Sequence, residues 1–427
     1  MFLESASLLQ CLEYRLLFGN MMMLDETLTF ILAGGAGSRL QPLTSDRAKP
    51  AVPFGGKYRI IDFTLANCLH SDLRRILVLT QYKSHSLQKH LRDGWSIFNP
   101  ELGEFITTIP AQMRRGIGWY DGTADAIYQN LYLVERSGAR YVLILSGDHI
   151  YRMDYAPLIQ SHVESNGIAT IACMEADLEE AKSYGVMRVD ENQRIYDFQE
   201  KPESPHALAD QPDKALVSMG IYVFSIEQLK EVLEKDAEDE NSTHDFGKDI
   251  LPDMIKNHSV HAYRFGGAEG RVSQDHYWKD VGTIDSFYDA NMDLLKSIPP
   301  LNLYQDDWPI RTYQSQTPPA RTVPGESGTE GIFINSIVAG GTIISGGNIS
   351  HSVIFKNAFV DDDAFVENSI LFDGVHIGKN ARINQCIIEK RVVIPDGEEI
   401  GYDLEKDKKR FQVTEKGIIV IPKDQKF

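Results

Sequence analysis

Between Ile337 and Ile400 the chain places a large apolar residue at every sixth position. Ile337, Ile343 and Ile349 are six apart, and Val353, Phe359, Phe365, Leu371, Ile377 and Ile383 follow in one register. After a slip, Ile388, Ile394 and Ile400 resume it. A period of six is neither helical nor the simple alternation of a strand. It is the period of a left-handed parallel β-helix, in which each coil has three short sides and one apolar residue per side turns inward. An ordinary meander would not sustain six consecutive hits. The slips predict loops or irregular corners.

The residues before this repeat follow a different rule. Leu28–Leu32, Arg75–Thr80, Tyr141–Leu145, Ile168–Met174 and Ile221–Phe224 are short apolar runs that read as buried strands. Helical-period segments such as Ala124–Arg136 and Ile226–Leu233 lie between them. Such alternation predicts an α/β domain, a Rossmann-like mostly parallel sheet covered on both faces, with ligands at the carboxyl ends of the strands. Pro299 to Pro324 holds six of the eighteen prolines and few apolar runs, which reads as a linker. The expected organisation is a dispensable N-terminal extension over 1–26, a catalytic domain over 27–298, a linker over 299–330, and the β-helix over 331–427.

Composition narrows the function classes. With 43 Lys and Arg against 61 Asp and Glu, the net charge of −18 repels polyanions, so neither nucleic acid nor an anionic membrane is an expected partner. Cys11, Cys68, Cys173 and Cys386 are far apart, with no CxxC pair, which fits a reducing cytoplasm rather than a disulfide scaffold. No apolar run approaches the ~20 residues of a membrane-spanning helix.

Against this acidic background one segment stands out. Gly34-Gly35-Ala36-Gly37-Ser38-Arg39-Leu40 follows the first strand directly. Glycines there let backbone N–H groups approach phosphate oxygens, although a plain tight turn has the same look. No Gly-Lys-Ser/Thr follows, and Leu40 stands at the third-glycine position of a dinucleotide fingerprint, so neither of those motifs applies. From Arg39 to Arg59 the chain carries Arg39, Arg47, Lys49, Lys57 and Arg59 against the single acid Asp46. A positive patch beside a glycine turn suits a triphosphate. Asp148, at the end of the Tyr141–Leu145 strand, and Asp280, in Trp278-Lys279-Asp280-Val281-Gly282, could be turn caps or two carboxylates converging on Mg²⁺. His149, His244 and His276 share no metal-ligand spacing and are not expected to hold a metal.

The segments Ala33–Phe63, Trp119–Asn130 (WYDGTADAIYQN), Ser146–Tyr151 (SGDHIY), Tyr184–Met187, Glu200–Pro202 (EKP), Ser218–Phe224 (SMGIYVF), His244–Ile250 (HDFGKDI) and Tyr277–Thr283 (YWKDVGT) resemble, in order, those of the bacterial glucose-1-phosphate adenylyltransferases. The resemblance runs from about residue 28 to the C-terminus. It implies an enzyme that joins ATP and α-D-glucose 1-phosphate to give ADP-glucose and pyrophosphate in glycogen synthesis, with Mg²⁺ as cofactor, a homotetrameric assembly and small anionic effectors.

Residue by residue, the resemblance implies that Gly34, Gly35, Gly37, Arg39 and Lys49 hold the ATP phosphates, with Arg39, Lys49 and Asp148 acting in catalysis. Gln81 and the turn Gly122, Thr123 and Ala124 would face the adenine. Asp148 and Asp280 would hold Mg²⁺. Lys201 would grip the phosphate of glucose 1-phosphate, and Tyr120, Gly185, Glu200 and Ser218 would line the sugar pocket. Arg47 and Arg59 would serve an effector site between the two domains. Members activated by fructose 1,6-bisphosphate carry a lysine where this chain has Asp46, so weak activation by that compound is expected. The competing readings are a sugar-1-phosphate nucleotidyltransferase using UTP, GTP or dTTP, and a silent regulatory subunit of the same fold.

Overall fold

The computed structural model describes residues 22–112, 119–266 and 276–427. Most of the expected 1–26 extension, residues 1–21 with Cys11, therefore lies outside the described residues. Met23 and Leu24 do not behave as part of a loose extension, because both are buried in the main core.

The first part is built on a nine-stranded sheet. Strand Thr27–Leu32 lies at its centre, parallel to Arg75–Thr80 on one side and Tyr141–Ser146 on the other; Phe105–Pro110 continues the parallel order outward. Burial alternates along these strands as a two-faced sheet requires. Phe30, Leu77, Leu79, Val142 and Ile144 join the core on one face, while Ile31, Ile76, Val78, Leu143 and Leu145 join the core on the other. The strand Lys214–Ser225 then runs antiparallel to Tyr141–Ser146 and to Ala169–Asp177, so the parallel core carries an antiparallel flank. The segment Ala124–Arg136 forms two helices, Thr123–Tyr128 and Leu131–Ser137. The break falls at Asn130, whose side-chain amide donates to the Ala126 carbonyl at 2.8 Å and to the Tyr120 hydroxyl at 3.0 Å. No helix among the described residues is long and apolar enough to cross a membrane.

The C-terminal part is a left-handed β-helix of three parallel sheets. From Asn348 to Ile400 its coils repeat every 17 residues, seen where Ser352 and Ser369, then Ser369 and Cys386, stack one coil apart, and the coil before them takes 16. Two sides of each 17-residue coil take six residues and one takes five. That short side corrects the expected register. Leu371, Ile377, Ile383, Ile388, Ile394 and Ile400 do point inward, but before the short side the inward residues are Ile354, Val360 and Val366, each one position after the expected one. Phe365 is 44 % exposed, and Val353 is buried against the neighbouring domain instead. The first rung of one sheet is Arg321–Val323, paired with Ile343–Ser345, so the β-helix begins inside the segment expected to be a linker. That segment is not slack. Leu301, Trp308 and Ile310 are buried, and the Trp308 indole donates to Asn67 at 3.2 Å.

One β-helix face covers the α/β domain. Its outward residues Val353, Ile370 and Ile387 share a core with Phe54, Phe287 and Leu294. Phe287 meets Phe372 edge to face, with centroids 6.4 Å apart.

The corrected register separates neighbouring residues sharply. Val366→Asp puts a carboxylate in a dry core and should cost roughly 3 kcal/mol or more, whereas Phe365→Asp should stay within about 1 kcal/mol. Thermal midpoints of the two variants decide it, and equal losses would reject the register.

Candidate active site

The site forms where the parallel strands end. The chain leaves Leu32 through Gly34–Gly37, leaves Thr80 into Gln81, and leaves Ser146 through Gly147 into Asp148. Gly147 lies so close to the first strand that a Cβ would sit 3.0 Å from Ile31 and 3.3 Å from the Leu32 carbonyl oxygen. Glycine thus lets the Asp148 turn fold over the phosphate loop. Asp280 arrives from elsewhere. It ends the short strand Trp278–Asp280, which pairs antiparallel with His149–Tyr151 and sets Asp280 opposite His149.

A third element closes the group. Lys49 starts the turn Lys49–Ala51, and its side chain is only 8 % exposed. Its ammonium lies 2.8 Å from Asp148 Oδ2 and 2.7 Å from Asp280 Oδ1. Burial works against the ammonium, but the two carboxylates outweigh it and raise the Lys49 pKa. Burial likewise opposes the Asp148 charge, and Lys49 and His149 nonetheless hold that carboxyl well below its usual range. The Ser146 hydroxyl also donates to Asp148.

Gly35, Gly37, Arg39, Lys49 and Asp148 line one cavity of about 180 Å³, with Gly282 at its edge. Gly37 has a left-handed φ of 60°, and a Cβ there would press on Thr44 and Lys49. Gly35 is exposed with open space around it, so its backbone can be approached. Gly34 packs against Gln81, where a Cβ would lie 3.2 Å from the Gln81 Cβ.

The other expected residues do not line that cavity. Gly122, Thr123 and Ala124 hold the segment 243–246. The Ala124 amide donates to the His244 carbonyl at 2.8 Å, and the Thr123 hydroxyl donates to Asp245 at 3.1 Å. A Cβ on Gly122 would sit 2.1 Å from the His244 carbonyl oxygen, so this glycine answers to packing.

Gly185 and Glu200 face each other across an antiparallel pair, and a Cβ on Gly185 would collide with the Phe198 ring. Glu200 Oε1 is 2.9 Å from the Lys201 ammonium, which is otherwise exposed. Ser218 is 8 % exposed at the irregular point of its strand and accepts from the Gly220 amide at 3.2 Å. Tyr120 is tied to Asn130.

Sequence reasoning missed three participants. His149 lies with Asp148 and Asp280 in one group whose ligand atoms are within 4.8 Å of one another. Burial pushes its pKa down, against the pull of Asp148 and Asp280. Asp245 anchors the turn at Gly247 by accepting from its amide at 2.9 Å, and Gly247 comes so close to Glu200 that a Cβ would lie 2.6 Å from its Oε2. The HDFGKDI motif was the only signal for these last two.

The run of basic residues does not serve one ligand. Arg39 and Lys49 face the phosphate cavity, but Arg47 is spent on Glu389 of the β-helix, with contacts of 2.8 and 3.0 Å. Lys57 and Arg59 turn to a separate cavity of about 390 Å³ between the domains, along with Lys356, Lys390 and Asp373. Asp46 lies 3.4 Å from Lys423.

A glycine-rich loop and a cation facing two strand-end carboxylates are groups that suit a nucleotide phosphate site on this fold. Residues 28–297 match the model of the nucleotidyl transferase family. The chain belongs to that family. Residues 318–421 match a second model, the GlmU-like C-terminal hexapeptide. Among curated relatives, glucose-1-phosphate adenylyltransferase 2 of Vibrio cholerae is 59% identical over 95% of this chain and 99% of its own length. The Vibrio vulnificus enzyme of the same name is 61% identical over 95% of this chain and 100% of its own. Glucose-1-phosphate adenylyltransferase of Methylobacillus flagellatus is 48% identical over 93% of each chain. As a member of the nucleotidyl transferase family the chain is an enzyme, and its glycine-rich loop follows the end of the first strand.

If Lys49 holds the two carboxylates apart from mutual repulsion, Lys49→Met should lower the thermal midpoint, by an amount equivalent to roughly 1–3 kcal/mol for a pair that is partly solvated. Added Mg²⁺ should raise the midpoint of the variant more than that of the unaltered chain. An equal response to Mg²⁺ in both would show that the carboxylates do not share a cation.

Proposed function

We propose that the chain transfers the adenylyl group of ATP to α-D-glucose 1-phosphate, giving ADP-glucose and pyrophosphate for bacterial glycogen synthesis in the cytoplasm. What carries the reading is the cluster of Lys49, Asp148 and Asp280 in a chain about 60% identical, over nearly its whole length, to relatives with that activity in their names.

In this reading an oxygen of the sugar phosphate attacks the α-phosphorus in line. A new P–O bond forms as the bond to the β-phosphate oxygen breaks, and the electron pair leaves with pyrophosphate. No covalent enzyme intermediate is required, so positioning and charge stabilisation do the work. The backbone of Gly34, Gly35 and Gly37 cradles phosphate oxygens. Arg39 and Lys49 stabilise the charge that grows on the leaving group. Asp148 and Asp280 offer hard oxygen ligands suited to Mg²⁺, which supplies Lewis-acid charge neutralisation when bound. Gln81 and the Gly122–Ala124 turn bound the adenine side. Lys201 leaves Glu200 to meet the phosphate of glucose 1-phosphate, and Glu200, Ser218, Tyr120 and Gly185 bound the sugar.

The inter-domain cavity is the proposed effector site. Lys57, Arg59, Lys356 and Lys390 against one carboxylate, Asp373, favour a small anion. We read the assembly as a homotetramer in which the exposed apolar rung Ile332–Ile334 at the β-helix end is one contact. The division into a catalytic domain, a connecting segment and a β-helix serves this scheme.

Pyrophosphate release measured with ATP, UTP, GTP and dTTP should show turnover with ATP and glucose 1-phosphate; preference for another nucleotide would reject the substrate assignment. Asp148→Asn should lower kcat by ~10²-fold or more while the protein stays folded. A variant retaining over a tenth of kcat would remove Asp148 from the mechanism.

Lys201→Ala should raise the KM for glucose 1-phosphate by an amount equal to roughly 2–4 kcal/mol and leave the KM for ATP nearly unchanged. Equal effects on both substrates would point to a structural lesion.

A further inference from the structure

The segment Arg47-Ala48-Lys49-Pro50-Ala51 is held from outside at both ends. Arg59 donates to the Ala51 carbonyl. At the other end the Arg47 guanidinium donates from Nη1 to Glu389 Oε1 and from Nη2 to Glu389 Oε2, at 2.8 and 3.0 Å. Both side chains are buried, 9 % and 3 % exposed. This is the fork-to-fork geometry that fixes direction as well as distance. Glu389 is itself fixed. Its Oε2 accepts from the Lys390 amide at 2.9 Å, and its own amide donates to Ile421 on the adjoining β-helix strand.

Only Ala48 stands between Arg47 and Lys49, the residue that bridges Asp148 and Asp280. The buried pair to the β-helix and the Lys49 cluster are therefore joined by a short stretch of backbone. A buried ion pair gains little net stability against its desolvation, so what this one supplies at the domain boundary is direction.

We propose that Glu389 is a positioning residue for nucleotidyl transfer: through Arg47 it sets where the Lys49 ammonium stands between the two carboxylates. The β-helix thus contributes to catalysis although none of its side chains lines the phosphate cavity. The inference rests on the adenylyl-transfer reading above for its reaction but not for the tether itself. It also gives the inter-domain cavity a mechanical outlet, because Arg59 faces that cavity and grips the same segment.

The test uses the full-length protein and the Glu389→Gln, Glu389→Asp and Glu398→Gln variants. Glu398 pairs with Arg410 at 2.7 Å on the same β-helix and has no link to residues 47–51, so it controls for a generic lost carboxylate. Glu389→Gln should lower kcat about tenfold or more, leave the KM for glucose 1-phosphate within about twofold, and speed amide hydrogen exchange in the peptide spanning 44–52. Glu389→Asp should recover part of kcat, and Glu398→Gln should match the unaltered chain. In an Arg47→Ala background, Glu389→Gln should add no further loss. The proposal is overturned if Glu389→Gln keeps more than half of kcat with unchanged exchange at 44–52, or if its loss persists undiminished in the Arg47→Ala background. If the unaltered chain turns over no sugar phosphate with ATP, the substrate reading fails; exchange at 44–52 then decides the tether, faster exchange sustaining it and unchanged exchange rejecting it.

Discussion

One ammonium group holds three separate pieces of chain together. Lys49 comes from a turn after the phosphate loop, Asp148 from the end of a central strand, and Asp280 from a ribbon more than a hundred residues later. Two carboxylates this close to each other repel, and removing them from water sharpens the repulsion. The lysine between them converts that repulsion into a junction. The glycine turn at 147, the ribbon Trp278–Asp280 and the capping box that starts the next helix at Thr283 all act to deliver these groups to it.

The second requirement is that the turn bearing Lys49 be held still. Apolar packing of Phe54, Phe287 and Phe372 sets the β-helix against the α/β domain, but packed side chains alone fix direction loosely. The Arg47–Glu389 pair adds direction where the boundary runs past the turn that bears Lys49. Stability and positioning are thereby divided between apolar contacts and a buried ion pair.

How much of this the sequence discloses depends on whether each feature is local. The parallel strands were legible because buried strands on both faces are continuous apolar runs, as in Arg75–Thr80 and Tyr141–Ser146. The hexad period disclosed the β-helix, but its phase was ambiguous. Two apolar residues stand side by side at 353–354, 359–360 and 365–366, and the five-residue side of each coil shifts the choice between them. Residues in the site were legible only as candidates. The contact of Lys49 with Asp148 and Asp280 spans long stretches of sequence, and no spacing rule encodes it. His149 was set aside because only Asp148 adjoins it in sequence, while Asp280 is brought to it by a β-pair.

The basic run from Arg39 to Arg59 shows why summed charge misleads. Read as a sequence it offers a net +4 to a triphosphate. In the fold, Arg47 is neutralised by Glu389, Lys57 lies over the Tyr58 ring, and Arg59 is turned to a carbonyl. At the phosphate cavity Arg39 and Lys49 stand against Asp148 and Asp280, which leaves the local sum at zero. A neutral cavity does not attract a polyanion, and two of its charges would repel one. In the proposed reading a triphosphate therefore enters with positive charge of its own. Hard carboxylate oxygens on that side of the cavity select for a small divalent ion over an organic cation. For the proposed adenylyl transfer, the pairing of cation and nucleotide follows from this charge balance: the carboxylates that would oppose bare ATP are the groups that would receive it once it carries a metal.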